Sequence, residues 1–223
     1  MSIVSTVLDL LFPPKCAFCR RVLKWGQKGV CQGCWDKAAG AYSQIRGTFC
    51  ARCVVSLSYQ GNVKNAIRRF KFGDQPGLAS GFGKIMARTI GQELAGTYDL
   101  ISWIPVSEKR LRQRGYDQAM LLSEAAALEL RDVALETLRK TQDNTQQSTI
   151  RDPKLRKSNV KNVYEATDPD LIRGKRILLI DDVITTGATM EEAARTLLRA
   201  GASQVVGAAL ARPTEKHTKE ELL

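Results

Sequence analysis

Residues 177–189 read Ile177-Leu178-Leu179-Ile180-Asp181-Asp182-Val183-Ile184-Thr185-Thr186-Gly187-Ala188-Thr189. The opening apolar run is too short for a buried helix and suits a central strand of a parallel sheet, which is covered on both faces. Two adjacent carboxylates follow, and then a turn built from Thr185, Thr186, Gly187, Ala188 and Thr189. From Met190 to Ala200 the composition is helical, with Ala193, Ala194, Leu197 and Leu198 on one face and Gly201 as a stop. Strand, acid pair, small-residue turn and helix N-terminus together make an anion site with carboxylates beside it. Backbone N–H groups and hydroxyls of the turn can cradle a phosphate, helped by the helix dipole. Carboxylates cannot bind that phosphate; they accept from hydroxyls or hold a magnesium ion. Phosphate, hydroxyls and magnesium describe a ribose 5-phosphate. An apolar run ending in Asp-Asp also imitates the Walker B strand of nucleotide hydrolases. That alternative needs a Walker A loop, and the nearest stretch, Gly77 to Lys84, spaces its glycines wrongly and continues with Ile85.

The stretch resembles the phosphoribosyl pyrophosphate (PRPP) loop of the type I phosphoribosyltransferases. By that resemblance Asp181 and Asp182 hold the ribose hydroxyls, and Thr185, Thr186, Gly187, Ala188 and Thr189 hold the 5-phosphate.

The chain of 223 residues is long enough for one to two domains with a real core. Its formal net charge of +11 is unusual, and residues 1–60 hold eight of the 34 Lys and Arg against two of the 23 acids. Such a balance favours polyanionic partners, namely nucleic acid, acidic lipid or a polyphosphate substrate, although a merely soluble basic surface has the same composition. No run approaches the ~18 consecutive apolar residues of a membrane span. Met1 to Phe12 lacks the basic start of a signal peptide. It reads as a short amphipathic helix with Ile3, Val4, Val7, Leu8 and Leu11 on one face, ended by Pro13-Pro14. That face can pack on its own chain, a partner or a membrane surface.

All six cysteines fall in the first 53 residues as the pairs Cys16/Cys19, Cys31/Cys34 and Cys50/Cys53. Without a secretory signal the pattern reads as metal rather than disulfides. Two pairs make a tetrahedral thiolate site for structural zinc, which then substitutes for a hydrophobic core. A knuckle after Pro13-Pro14 and a short helix from Cys34 select Cys16, Cys19, Cys31 and Cys34. Cys50 and Cys53 are left as a displacing pair, the remnant of a second site, a redox dithiol or unligated thiols. Basic residues (Lys15, Arg20, Arg21, Lys24, Lys28, Arg46, Arg52) and aromatics (Trp25, Trp35, Tyr42, Phe49) surround these pairs. They fit a surface that tracks and stacks on a single strand, or solvated lysines beside a small core.

A boundary is expected near residues 58–62. Val63 to Gly73 forms a basic helix with Val63, Ile67 and Phe70 at helical spacing, and Leu78 to Leu94 forms a second helix. Asp99 to Val106 reads as a buried strand closed by Pro105. A basic loop follows with Lys109, Arg110, Arg112 and Arg114, positioned to meet a pyrophosphate, or simply solvated. Gln118 to Leu130 is a helix whose core face would be Leu121, Leu122, Ala125 and Leu128. Residues 139–161 are polar, with seven cations against two acids, and are expected to be a mobile lid that excludes water from the site. Val163 to Ala166 would be an edge strand, Asp168-Pro169 a turn and Gly207 to Ala211 the last strand. His217, the one histidine, lies in the charged tail, which argues against a catalytic histidine.

In order, these parts resemble the ComF/GntX-type competence proteins. The residues concerned are the N-terminal cysteine module, Arg69-Phe70-Lys71-Phe72, Pro105-Val106, Arg114-Gly115-Tyr116-Asp117-Gln118, Gln147, Arg156-Lys157-Ser158-Asn159-Val160 and the PRPP loop. Three features depart from that family. The chain has six cysteines where eight in two zinc sites are frequent, and Asp117 stands for the usual Asn. Before Gln147 the usual Thr-x-x-Gln is replaced, with Asn144 three residues ahead and Thr145 two.

The resemblance implies an α/β fold: a type I phosphoribosyltransferase-like parallel-sheet domain at 61–223, with a mobile loop at about 139–161. A small Cys-rich zinc-binding domain with the N-terminal helix, 1–60, precedes it. It implies a cytoplasmic protein of natural transformation and DNA uptake that binds PRPP with magnesium and carries structural zinc. Single-stranded DNA and other DNA-uptake proteins are the implied partners. Lys71 and Arg114 would join Asp181 and Asp182 as catalytic residues, with the pyrophosphate near Lys71 and Lys109–Arg114, for transfer to an unnamed acceptor. Two alternatives differ in class. One is a catalytically silent scaffold that binds single-stranded nucleic acid. The other is a PRPP-sensing regulator, for which no helix-turn-helix is found.

Overall fold

The apolar tetrad belongs to a strand longer than itself: β6 runs from Arg176 to Val183 and carries both aspartates at its C-terminal end. Ile177 to Ile180 are all fully buried. The computed structural model describes residues 13–24, 27, 29–38, 43–142 and 162–213. The expected N-terminal helix, the lid beyond residue 142 and the tail with His217 lie outside these residues.

In chain order the described elements are α1 (Gln32–Ala38), β1 (Ser43–Ile45), β2 (Cys53–Ser58), α2 (Gly61–Phe72), α3 (Leu78–Glu93), β3 (Leu100–Trp103), α4 (Glu108–Arg114) and α5 (Gln118–Leu130). They continue with β4 (Leu138–Lys140), β5 (Tyr164–Ala166), α6 (Pro169–Ile172), then β6, α7 (Ala188–Arg199) and β7 (Gln204–Arg212). The main sheet has the order β1-β2-β7-β6-β3. β2, β7, β6 and β3 are mutually parallel, and β1 closes one edge antiparallel to β2. The sheet thus takes in Ser43–Ser58, a stretch that its sequence neighbourhood joins to the cysteine module. β4 and β5 form a separate antiparallel ladder.

Alternate residues of β6 serve two cores, as strand geometry requires. Leu178 and Ile180 pack with Ile67 and Phe70 of α2, Phe82 and Met86 of α3 and Leu122 of α5. Ile177 and Leu179 pack with Met190, Ala193 and Leu197 of α7 and with Leu138 and Tyr164 of the small ladder. The chain therefore leaves β3 toward one face of the sheet and leaves β6 toward the other. Their C-terminal ends splay apart at a switch point, the place where open α/β sheets bind ligands.

The cysteine module docks on the first core. Phe18 is buried with its ring 5.7 Å from Phe82, which meets Phe70 edge-on at 5.5 Å. Arg69 of α2 donates to the Ala17 carbonyl at 2.7 Å. Burying Phe18 contributes about 1.5–3 kcal/mol, which favours a fixed seating of module on domain.

Three local expectations are corrected. The basic stretch after β3 is a helix, α4, because Ser107 caps it by accepting from the Arg110 N–H and Gly115 ends it in the left-handed region. On α5, Leu128 is 78% exposed, and the buried face is Gln118, Ala119, Leu122, Ser123, Ala126 and Ala127. Asp168-Pro169 opens the short α6 rather than a bare turn, with Asp168 accepting from the N–H groups of Asp170 and Leu171. The edge strand expected at Val163–Ala166 is present as β5, in the small two-stranded ladder.

Candidate functional site

At the end of β6 the backbone bends through residues 184–187 into α7. Asp181 is half-buried and Asp182 is buried. The Asp182 N–H donates to Asp181 Oδ1 at 2.8 Å, and the Val183 N–H to Asp182 Oδ1 at 2.5 Å, so the pair is held by its own backbone. Lys71 Nζ, from the last turn of α2, donates to the same Asp182 Oδ1 at 2.8 Å. Burial, and then the charge of Asp182, push the Asp181 carboxyl up to about 7, against the opposing pull of Lys71.

Thr185 and Thr186 are exposed, and Gly187 adopts φ +80°, a value that only glycine holds without strain. That conformation lets α7 start at Ala188, two residues earlier than its composition implies. The Ala188 N–H lies 3.4 Å from Thr186 Oγ1. The turn thus sets two hydroxyls and a helix N-terminus beside two carboxylates, a donor-rich pocket next to an acceptor-rich one.

Of the four cations after β3, Arg114 comes to this site. Its guanidinium lies 5.1 Å from the Phe72 ring and donates to Gln118 Oε1 at 2.6 Å. Burial lowers its pKa, and the nearby charge of Asp182 counters this. Lys109 and Arg112 are exposed, and Arg112 ion-pairs with Glu108 at 2.9 Å. Asp117, which replaces the usual Asn, is buried. Its Oδ1 accepts from the N–H groups of Ala119 and Met120 and its Oδ2 from that of Val106, at 2.9–3.1 Å. A carboxylate suits this role because every partner is a donor.

The sulfurs of Cys16, Cys19, Cys31 and Cys34 all lie within 4.8 Å of one another. Burial would raise the Cys16 thiol, but the Cys31 N–H at 3.4 Å and its neighbours pull it down to about 7. Burial and the adjacent cysteine sulfurs push Cys34 upward. One thiolate thus opposes the next, a conflict that a divalent cation removes, and the cluster is consistent with a structural zinc site. Cys50 and Cys53 are outside it. Both are buried in the core on the α7 side. Burial and then Glu191 raise Cys50 to about 12, and burial and then Cys50 raise Cys53, the condition of unreactive thiols.

Two arrangements have no local signature in the sequence. Glu191, in the first turn of α7, accepts from three successive backbone N–H groups, those of Thr48, Phe49 and Cys50, at 2.8, 3.0 and 2.9 Å. Glu192 accepts from the Asn162 N–H at 2.6 Å, and Arg195 donates to the Asn162 side chain at 2.8 Å. The second arrangement ties the chain to α7 just as it re-enters the described structure.

Two known domains match parts of the chain. Residues 117–222 match the phosphoribosyl transferase domain and residues 7–67 the double zinc ribbon domain. The chain is 28% identical to the DNA utilization protein YhgH of Escherichia coli (strain K12), over 88% of this chain and 96% of that protein. It is 27% identical to Competence protein F of Haemophilus influenzae, over 89% and 96%. With Competence protein ComFC of Bacillus subtilis it shares 28% identity over 65% of this chain and 57% of that one. A solved adenine phosphoribosyltransferase superposes with a TM-score of 0.43 at 12% identity, covering 84% of this chain and 94% of the other. From the two domain matches and the three competence and DNA-utilization relatives, the chain belongs to the ComF/YhgH family of competence proteins, a phosphoribosyltransferase domain behind an N-terminal zinc ribbon.

Proposed function

We propose that the C-terminal end of β6 binds PRPP and supports phosphoribosyl transfer to a nitrogen nucleophile. The observation that carries this is the ion pair of Lys71 with Asp182 beside a turn of small residues at the head of α7. The hydroxyls of Thr185, Thr186 and Thr189 and the N–H groups around Gly187 and Ala188 would take the 5-phosphate. Asp181 and Asp182 would accept from the ribose hydroxyls. Lys71 and Arg114 would meet the pyrophosphate. Magnesium bound with the substrate would neutralise pyrophosphate charge, and the carboxylates offer the hard oxygen donors it prefers.

In the reaction the bond from the anomeric carbon to pyrophosphate breaks and its electron pair leaves with the phosphate oxygen. The electron-poor sugar then forms a bond to the nucleophile nitrogen, which sheds its proton. No covalent enzyme intermediate is required, so stabilisation is positional and electrostatic. Lys71 must exchange Asp182 for the pyrophosphate, which couples substrate entry to opening of that ion pair.

The relatives' names place them in DNA utilization and competence. With the net charge of +11, they support a cytoplasmic role with single-stranded DNA and DNA-uptake proteins as partners. Among the described residues no helix is long and apolar enough to cross a membrane. Calorimetric titration of zinc-loaded protein with PRPP, with and without magnesium, tests the site. Magnesium-dependent binding that Asp181→Asn and Asp182→Asn abolish is the expected result. Absence of binding in folded protein would leave a scaffold that has kept the fold and lost the substrate.

A further inference from the structure

Helix α2 places two phenylalanines at its end in opposite settings. Phe70 is fully buried, its ring 5.8 Å from that of Tyr116, whose hydroxyl donates back to the Phe70 carbonyl. Phe72 is 69% exposed. Single exposed apolar side chains are common and by themselves mean nothing. This one differs in its company. Arg114 lies over one face of the ring, held there by its bond to Gln118. The residue before Phe72 is Lys71, bonded to Asp182. An aromatic face backed by a cation therefore stands at the rim of the carboxylate site.

We propose that Phe72, with Arg114 behind it, is a stacking platform for one nucleobase of a single strand of nucleic acid. A phenyl ring offers no hydrogen-bonding group, so it selects a flat π-face and is indifferent to the base presented. The Arg114 guanidinium under the ring keeps it in place and adds its charge to the attraction. Exposed cations on the adjoining elements, Arg68 on α2 and Lys109 on α4, supply positive charge for the phosphates. A duplex hides its base faces and gains nothing from the ring, so the partner is a single strand. The inference deepens the reading of the β6 site, because it sets a base beside the position given to the sugar. The two share Arg114, but the turn given to the 5-phosphate and the Phe72 ring are different residues.

The test uses the full zinc-loaded chain and its Phe72→Ala variant, whose thermal melt checks that the exposed substitution leaves the fold intact. Each is titrated at one fixed salt concentration with a fluorescent deoxyadenosine 12-mer and with an abasic 12-mer of the same phosphate count. The expected result is a loss of about tenfold in affinity for the deoxyadenosine oligomer, the size of one base–aromatic stack, with the abasic oligomer unaffected. Equal affinity of variant and wild type for the deoxyadenosine oligomer, or equal losses on both oligomers, overturns the platform. Competition by adenosine monophosphate that the variant no longer shows would assign the ring to free nucleotides and overturn the strand assignment. A parallel titration of wild type with PRPP separates the two readings. Strand binding through Phe72 without PRPP binding would remove the phosphoribosyl reading and keep the platform. PRPP binding with no effect of Phe72 on the strand would do the reverse.

Discussion

Lys71 and Asp182 are 111 residues apart in the chain and 2.8 Å apart in the fold, joined by an ion pair in which both side chains are largely buried. A pair in this setting contributes little net stability while intact, since desolvation offsets attraction, but removing one partner strands the other. Lys71→Met should therefore destabilise the protein by about 1–3 kcal/mol, with a matching fall in the denaturant midpoint. The double variant Lys71→Met/Asp182→Asn should recover most of that loss, because no uncompensated charge is left. Additive losses in the double-mutant cycle would show that the two side chains are not coupled.

Asp181 gives a pH signature of known sign. Its carboxyl titrates near 7 in the fold, against about 3.9 in an unfolded chain. Between these values the native state holds a proton that the unfolded state has lost. Its contribution to stability is thus complete below about pH 4 and is lost as pH rises through about 7, at no more than about 1.4 kcal/mol per pH unit. Asp181→Asn, which does not titrate, should gain on the wild type as pH rises from 5.5 to 8. Parallel stability profiles for the two proteins across that range would mean that Asp181 ionises normally.

How much of this could be seen beforehand depended on whether the signal was local. The strand, acid pair, small-residue turn and helix of 177–199 lie within one supersecondary unit, and each residue's type already marks its place in it. The four clustered cysteines were picked out by the knuckle and the short helix around them, since all three pairs share one spacing. Failure came where tertiary contacts decide. Helix α5 is apolar on most sides, and its inward face takes in Gln118 and Ser123, polar residues that donate to the Tyr116 and Met120 carbonyls. Leu128 had the right chemistry and the wrong side. Val54 and Val55 lie next to Cys53 and read as part of the cysteine module, yet their strand pairs with β7 about 150 residues later. The cap residues Ser107 and Gly115 around α4 were visible, and the density of charge between them obscured the helix. No pattern in the sequence could link Glu191 to residues 48–50.

That Glu191 link joins residues 48–50 to the first turn of α7, and so to the turn at residues 184–187. Gly47 completes the fit, since a Cβ there would stand 1.9 Å from Glu191 Oε1. Glu191→Ala leaves three N–H groups without their acceptor and should cost about 1–3 kcal/mol. It should also weaken binding of PRPP at a temperature where the variant is fully folded, because the helix that carries the turn loses a support. Gly47→Ala should break the same contact from the other side. Combining the two substitutions should cost no more than the worse of them, whereas additive losses would show that they act through different contacts.

The cysteine geometry predicts the metal content of the protein. Four sulfurs converge and two are buried apart from them, so the purified chain should hold about one zinc. Cys19→Ser should lose it, since three sulfurs remain and the fourth position opens to exchange. Cys50→Ser/Cys53→Ser should keep it, while losing stability because two hydroxyls enter an apolar core beside Val55 and Met190. Stripping the metal with a strong chelator should release the four clustered thiols to a thiol reagent and leave the buried pair unreactive until the sheet unfolds. The module's seat on the domain runs through Phe18 and the bond from Arg69 to Ala17, so zinc loss should also expose Phe82 and lower the midpoint of the whole domain. A melt in which the sheet is indifferent to the chelator would show that module and domain are energetically independent, and measured zinc near two per chain would mean that Cys50 and Cys53 bind metal after all.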